Sequence, residues 1–163
     1  MDISKFNLED VLLSAMKSET ESNKLYLTMS KKTQNGFLQD KLKFLADEEI
    51  KHKQFIEELY MNHFPDKKII LPQKTAVPLP EVSYTEQTAM SELLGQAMNA
   101  ELAASEFYKA CSELFESGSK IHNTFQYFSD MENGHFKMLE AEKQSMQRFE
   151  DADVYWPMVH AGP

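Results

Sequence analysis

Two stretches of the chain carry residue types that hold metals: Glu49-Ile50-Lys51-His52 and Glu132-Asn133-Gly134-His135. Each sets a carboxylate three residues before an imidazole, which puts both side chains on one helix face, one turn apart. The residues around them show which face. Leu38, Leu42, Leu45, Glu49, His52, Ile56 and Leu59 step by alternating fours and threes, and so do Ile121, Phe125, Phe128, Glu132, His135 and Leu139. That is the seam of a core-facing helix. A charge turned into a core is unfavourable by roughly several kcal/mol unless it is paired or bound to a metal.

Two more carboxylates stand on seams of the same kind. Leu12, Met16, Glu19 and Tyr26 form one, and Leu94, Met98, Glu101 and Tyr108 the other. In both, Tyr follows Glu by seven residues; Glu19 precedes Glu49 by 30 residues and Glu101 precedes Glu132 by 31. Ala15-Met16 matches Ala97-Met98, Leu25-Tyr26 matches Phe107-Tyr108, and Phe44-Leu45 matches Tyr127-Phe128. The chain therefore reads as a duplicated helical hairpin, each copy supplying two Glu and one His.

Four Glu and two His make a hard-to-borderline donor set without thiolate, which suits iron or manganese, with zinc possible. Two metals about 3.5–4 Å apart can share bridging carboxylates. The symmetric expectation is that Glu49 and Glu132 bridge, while Glu19 with His52 and Glu101 with His135 complete the two metals. This assignment follows from the helix pattern; spacing alone does not separate bridging from terminal carboxylates. A lone Glu-x-x-His is a weak signal. Two of them, each on an apolar seam and each following Glu-x6-Tyr at a matching distance, are a specific one. Asp47 and Asp130 precede the two motifs at matching offsets but point away from the seam, some 200° around the helix at about 100° per residue.

The 163 residues are enough for one domain with a real core. A net charge of −9 and a single Arg, Arg148, argue against nucleic acid, anionic membrane and bidentate phosphate capture. The single cysteine, Cys111, excludes an internal disulfide and any Cys-x-x-Cys site, and reads as a small core residue. Met1-Asp2-Ile3-Ser4-Lys5 lacks the basic start and apolar run of a signal peptide, and no stretch is long and apolar enough to span a membrane. A cytoplasmic location is expected.

The elements that must position the six residues are four helices. Asn7, with Asp10 three residues on, can cap a first helix over 7–32. Asn35-Gly36 reads as a turn, and a second helix covers 37–62. Pro65, Pro72, Pro78 and Pro80 then mark residues 65–87 as an extended connection. Such a segment reaches up to roughly 70 Å, against roughly 39 Å for the preceding helix, so it can travel the length of a bundle as a long crossover. Thr85 or Thr88 can cap a third helix ending near Glu116. Ser117-Gly118-Ser119 separates it from a fourth over 119–150. The expected organisation is one bundle domain over 1–150 and a tail over 151–163, whose Tyr155 and Trp156 suggest docking; His160 in that tail reads as a surface histidine.

On these motifs the chain resembles the ferritin-like superfamily, and within it the rubrerythrin-like di-iron proteins, over residues 7–150. The resemblance implies an all-α, four-helix bundle of two hairpins joined by a long crossover. It puts Glu19, Glu49, His52, Glu101, Glu132 and His135 on the family's six ligand positions, for two iron ions per chain. It also puts Tyr26 and Tyr108 where the family has tyrosines that hydrogen-bond ligand carboxylates across the bundle. The chain departs from the family pattern in two places. Ala104 stands where rubrerythrins carry an extra carboxylate, and the four-cysteine rubredoxin domain has no counterpart. Ile50 stands where bacterioferritins have their haem-binding Met, so no haem is expected.

The implied function is redox chemistry on hydrogen peroxide or dioxygen, with electrons from an external donor such as a rubredoxin-type protein. Two other functions fit the same donor set: storage of oxidised iron inside a multi-subunit shell, and a metal-stabilised bundle without catalysis. The two similar faces of a duplicated hairpin suit closed twofold pairing, so a homodimer is expected.

Overall fold

A computed structural model describes residues 2–80 and 83–155, with side chains described as far as Arg148. Four helices follow in chain order: α1 (Leu8–Lys32), α2 (Gly36–His63), α3 (Met90–Ser112) and α4 (Lys120–Tyr155). There is no strand among the described residues. The architecture is all-α and matches the expected ferritin-like bundle.

Local chemistry sets the helix ends. Asn7 accepts the Asp10 N–H on Oδ1 at 2.8 Å and donates from Nδ2 to the Asp10 carboxylate at 2.7 Å, a two-way cap of the kind that stabilises a first turn by about 1 kcal/mol. Glu9 and Asp10 sit at the positive end of α1, and Lys31 and Lys32 at its negative end. Asn35 caps α2 by accepting the Leu38 N–H at 3.2 Å, so that helix begins at Gly36. Gly118 has φ +81°, a left-handed conformation that side chains resist, in the turn before α4.

Three ends differ from the sequence reading. Neither Thr85 nor Thr88 caps α3: the Thr88 hydroxyl accepts the Thr85 N–H at 2.8 Å, and Ala89 takes the cap position with no side-chain bond. α3 stops at Ser112, four residues before Glu116, where consecutive turn bonds from Glu113, Leu114 and Phe115 tighten the chain. α4 continues to Tyr155, so the first five residues of the expected tail are helical; Trp156 to Pro163, His160 included, lie outside the described residues.

The crossover can be followed by what it touches on α1. Lys67 pairs with Glu9, the Val77 N–H donates to Ser14 Oγ at 3.3 Å, Tyr84 OH lies 3.2 Å from Thr28 Oγ1, and Lys32 Nζ donates to the Glu86 carbonyl at 2.7 Å. These contacts march from the first turn of α1 to its last, so the connection spans the whole bundle. α3 therefore starts beside the end of α1 and runs antiparallel to it, giving an up-down-down-up order. Each helix packs most closely on its hairpin partner, α1 on α2 and α3 on α4. The two hairpins stand wider apart, and long side chains fill the space between them.

That filling divides into two cores. At the end that holds the start of α1 and the end of α3, the core is aromatic: Tyr60, Phe107, Tyr108, Phe125 and Phe128 pack with Leu12 and Ile56. At the other end it is mainly aliphatic: Leu25, Met29, Leu38, Leu42, Leu45, Leu93, Leu94 and Leu139, with Tyr26. Cys111 is buried in the aromatic core, where burial pushes its thiol up. Asp47 and Asp130 are exposed, pointing away from both cores.

Candidate metal centre

Between the two cores the apolar filling is interrupted. Glu19, Glu49, His52, Glu101, Glu132 and His135 come there from all four helices, each 4% exposed or less. Apart from these six, the one buried charged side chain among the described residues is Glu48, which Lys51 pairs one turn away. The seams explain the placement: each Glu and His takes the next core-facing step after its apolar predecessors, so the helices that bury Leu45 and Phe128 must also bury Glu49 and Glu132.

Both histidines turn Nδ1 toward the carboxylates. His135 Nδ1 is 2.9 Å from Glu132 Oε2 and 3.6 Å from both Glu49 Oε1 and Glu101 Oε2. His52 Nδ1 is 2.9 Å from Glu132 Oε1 and 3.8 Å from Glu19 Oε2. Two overlapping sets result, Glu19–Glu49–His52–Glu132 and Glu49–Glu101–Glu132–His135, each offering donor atoms all within 4.8 Å of one another. Glu49 and Glu132 belong to both. Around the donors, the Phe128 ring lies 4.2 Å from the His52 ring and the two imidazoles stack at 6.1 Å.

The donors fit a metal better than they fit each other. Glu49 Oε1, Glu132 Oε1 and both ring nitrogens of His52 are buried without a hydrogen-bond partner. The 2.9 Å approach of His52 to Glu132 is close enough for a hydrogen bond but lacks its alignment. Buried polar atoms left unpaired are unfavourable by about 1–3 kcal/mol each. Glu49, His52 and Glu132 belong to one donor set, so a cation held there satisfies lone pairs that the protein leaves unpaired.

Protonation tells the same story. Burial drives Glu19 and Glu49 well above the usual carboxylate range, and the charges of the neighbouring glutamates add to the rise. Burial and the charge of Glu132 raise Glu101 to about 8. Glu132 behaves oppositely. Burial pushes it up, but hydrogen bonds from Glu101 and His135, with the charge of nearby His52, outweigh that and hold it well below its ordinary value. Burial lowers His135, yet its bonds to Glu101 and Glu132 win and raise it to about 10. Without a metal, then, protons neutralise the cluster around one ionised carboxylate, Glu132.

Tyr26 donates to Glu101 and Tyr108 donates to Glu19, so each tyrosine serves the carboxylate of the other hairpin. Both are 1% exposed. Burial and the neighbouring carboxylate charges raise Tyr26 well above the ordinary phenol, which keeps it a donor. Ala104 packs against the aromatic core.

Several supporting residues escaped the sequence reading. Asn23 donates to the Ala46 carbonyl at 2.8 Å, tying α1 to α2. In the second hairpin Ser105 donates to the Ser129 carbonyl at 2.9 Å, Ser129 returns a bond to the Ser105 carbonyl at 2.9 Å, and Asn133 adds one to Ser105 Oγ at 2.7 Å. Asn23 and Ser105 stand four residues after Glu19 and Glu101, and Ala46 and Ser129 three before Glu49 and Glu132. The duplication itself was the signal that pointed to them.

The sequence profile of the Rubrerythrin family matches residues 10–143. The fold is similar to the solved structure of a hypothetical protein from Pyrococcus furiosus, with a TM-score of 0.80 and 30% identity over 91% of this chain and 95% of that one. No curated protein matches the sequence. With its duplicated hairpin, its crossover and a buried Glu/His cluster suited to metal, the chain belongs to the rubrerythrin family of the ferritin-like superfamily.

Proposed function

We propose that the protein is a di-iron oxidoreductase that binds two iron ions at the six residues and acts on hydrogen peroxide or dioxygen with an external electron donor. The observation that carries this reading is the pair of overlapping donor sets that share Glu49 and Glu132. Shared carboxylates suit bridging, with Glu19–His52 and Glu101–His135 as the separate ends. Four ionised glutamates carry the charge that two divalent cations offset, so ion binding removes the like-charge repulsion that protons otherwise relieve. Iron held there supplies one-electron redox steps and Lewis acidity toward a bound oxidant.

The protein's own residues prepare the place. Tyr26 and Tyr108 each occupy one carboxylate oxygen of Glu101 and Glu19, which fixes the rotamer and leaves the second oxygen for a metal. Phe128 and the aromatic core exclude bulk water on one side. In this reading the electrons come from a separate rubredoxin-type partner, and a homodimer fits the two similar faces.

The test is to load the protein anaerobically with two ferrous ions per chain, add peroxide or air in separate experiments, and follow the ferric charge-transfer absorption. Oxidation by peroxide that stops when the bound iron is consumed, and restarts with an added reductant, supports the reading. Large particles that retain hundreds of irons when ferrous iron is added in excess overturn it in favour of storage. Oxidation by air but not peroxide keeps the centre and removes peroxide as the substrate.

A further inference from the structure

The two hairpins repeat the ligands but differ in what lies outside them. On the α1–α2 side a cavity of about 300 Å³ is lined by Glu19, Glu49, Thr20, Asn23, Lys53 and Glu57. Its lining passes from inside to outside: Glu19 and Glu49 are 3% exposed, while the Lys53 and Glu57 side chains, paired at 3.0 Å, are about a third exposed. Glu49, which lines it, also carries an unpartnered buried oxygen. The corresponding ground in the second hairpin is occupied by the Ser105–Ser129–Asn133 hydrogen bonds. Phe136 stands there in place of Lys53, and Glu140, the counterpart of Glu57, is exposed.

We propose that the α1–α2 cavity is the port through which divalent cations reach the buried centre. Glu57 captures the arriving ion, and Lys53 is the resident cation that the ion displaces. This rests on the metal-centre reading above. A hydrated divalent cation at the rim meets a carboxylate already holding a positive charge. It exchanges with the Lys53 ammonium, then passes to Glu19 and Glu49, whose oxygens are better placed to replace its water. The path is one-sided because the matching α3–α4 flank is filled by its own hydrogen bonds.

The test uses cobalt(II) alone, added to metal-free protein, with uptake followed by its visible ligand-field absorption in stopped flow. Glu57→Gln is expected to slow uptake by about three- to tenfold, as loss of a steering charge does. Lys53→Gln is expected to accelerate it by a similar factor, and Glu140→Gln to change it less than about twofold. All three variants bind the same number of ions at equilibrium, since none touches the six donors. Equal slowing by Glu57→Gln and Glu140→Gln overturns the port in favour of a general surface field, and an unchanged rate in Glu57→Gln overturns it outright. Slowing by Lys53→Gln overturns the displacement step. Cobalt-free wild-type protein at equilibrium overturns the metal-centre reading itself, an outcome that no change of rate can mimic.

Discussion

The α1–α2 and α3–α4 hairpins supply the same ligands at the same depth, yet they treat the cluster differently. In the first, a cavity reaches Glu49 from outside. In the second, Glu132 is fully buried, stands 2.9 Å from both histidines, and has a network of serines and an asparagine behind it. The halves share the donor set, but one holds the electrostatic hub and the other the opening. Residues that look equivalent by register therefore differ in what their loss does.

The largest expected effect separates Glu132 from Glu49. Either change to Ala is expected to take metal content from two ions per chain to less than one by elemental analysis, because each carboxylate belongs to both donor sets. In metal-free protein the two variants part. Glu132→Ala strips the ionised carboxylate from beside His52 and His135 and is expected to lower stability in urea by about 3–5 kcal/mol. Glu49→Ala removes a carboxyl that burial and its neighbours already hold protonated, and its loss is expected to be well below that of Glu132. Equal losses would mean that the hub is shared.

Metal removal and pH come next. Glu101 is raised to about 8 and His135 to about 10. A raised group contributes stability that is full below its unfolded value and is lost as pH rises through its folded one. The metal-free protein is therefore expected to melt at progressively lower temperature from about pH 4.5, where Glu101 begins to lose its contribution, to about pH 10, where His135 loses the last of its own. Glu132, held low, contributes in the other direction only when pH falls below the ordinary carboxylate range. Metal competes with these same protons, so the gap between loaded and metal-free melting temperatures is expected to widen as pH rises. The stabilisation behind that gap is expected to reach about 4 kcal/mol per bound ion at a thousandfold excess over the dissociation constant. Calorimetry across pH, with and without chelator, reads both; a gap that narrows with pH would break the picture.

Smaller effects test how far the halves remain alike. Tyr26→Phe and Tyr108→Phe each remove one hydrogen bond to a carboxylate, at about 1.5–3 kcal/mol, and are expected to weaken metal binding by similar factors. A tenfold difference between them would show that the two ends of the centre have separated in strength. Ser105→Ala takes one partner each from the Asn133 amide and the Ser129 carbonyl, which keep their own bond at 3.2 Å, and is expected to lower stability by about 0.5–1.5 kcal/mol. Finally, a Cβ built on Gly134 meets nothing within 4 Å, so Gly134→Ala is expected to raise stability by about 0.5–1 kcal/mol in chemical denaturation.

The six donors were legible in the sequence because burying a charge is so unfavourable that a Glu or His on an apolar seam stands out against its register. The crossover was legible because Pro65, Pro72, Pro78 and Pro80 cannot join a helix. The asymmetry between the halves was not. It depends on Lys53 facing Phe136 across the repeat and on Ser129 replacing Ala46, polar differences that carry no periodic signal. Helix ends were the other weak point. Thr88 looked like a cap but spends its hydroxyl on Thr85. Aromatic residues near 155 looked like a tail, yet α4 runs through the first of them.

The crossed tyrosines have a consequence for how far each half depends on the other. Tyr26 reaches Glu101 while Tyr108 reaches Glu19, the reciprocal contact that two identical partners make across a twofold axis. Neither hairpin finishes its own carboxylate, so half of this chain is not half of a site but one member of a pair. The fold preserves, within one polypeptide, the geometry of a self-associating hairpin. The crossover is a covalent tether that does within one chain what concentration does for separate partners: it keeps the two members together. Tethered members need not be identical, and here one keeps an opening while the other is closed by its own hydrogen bonds.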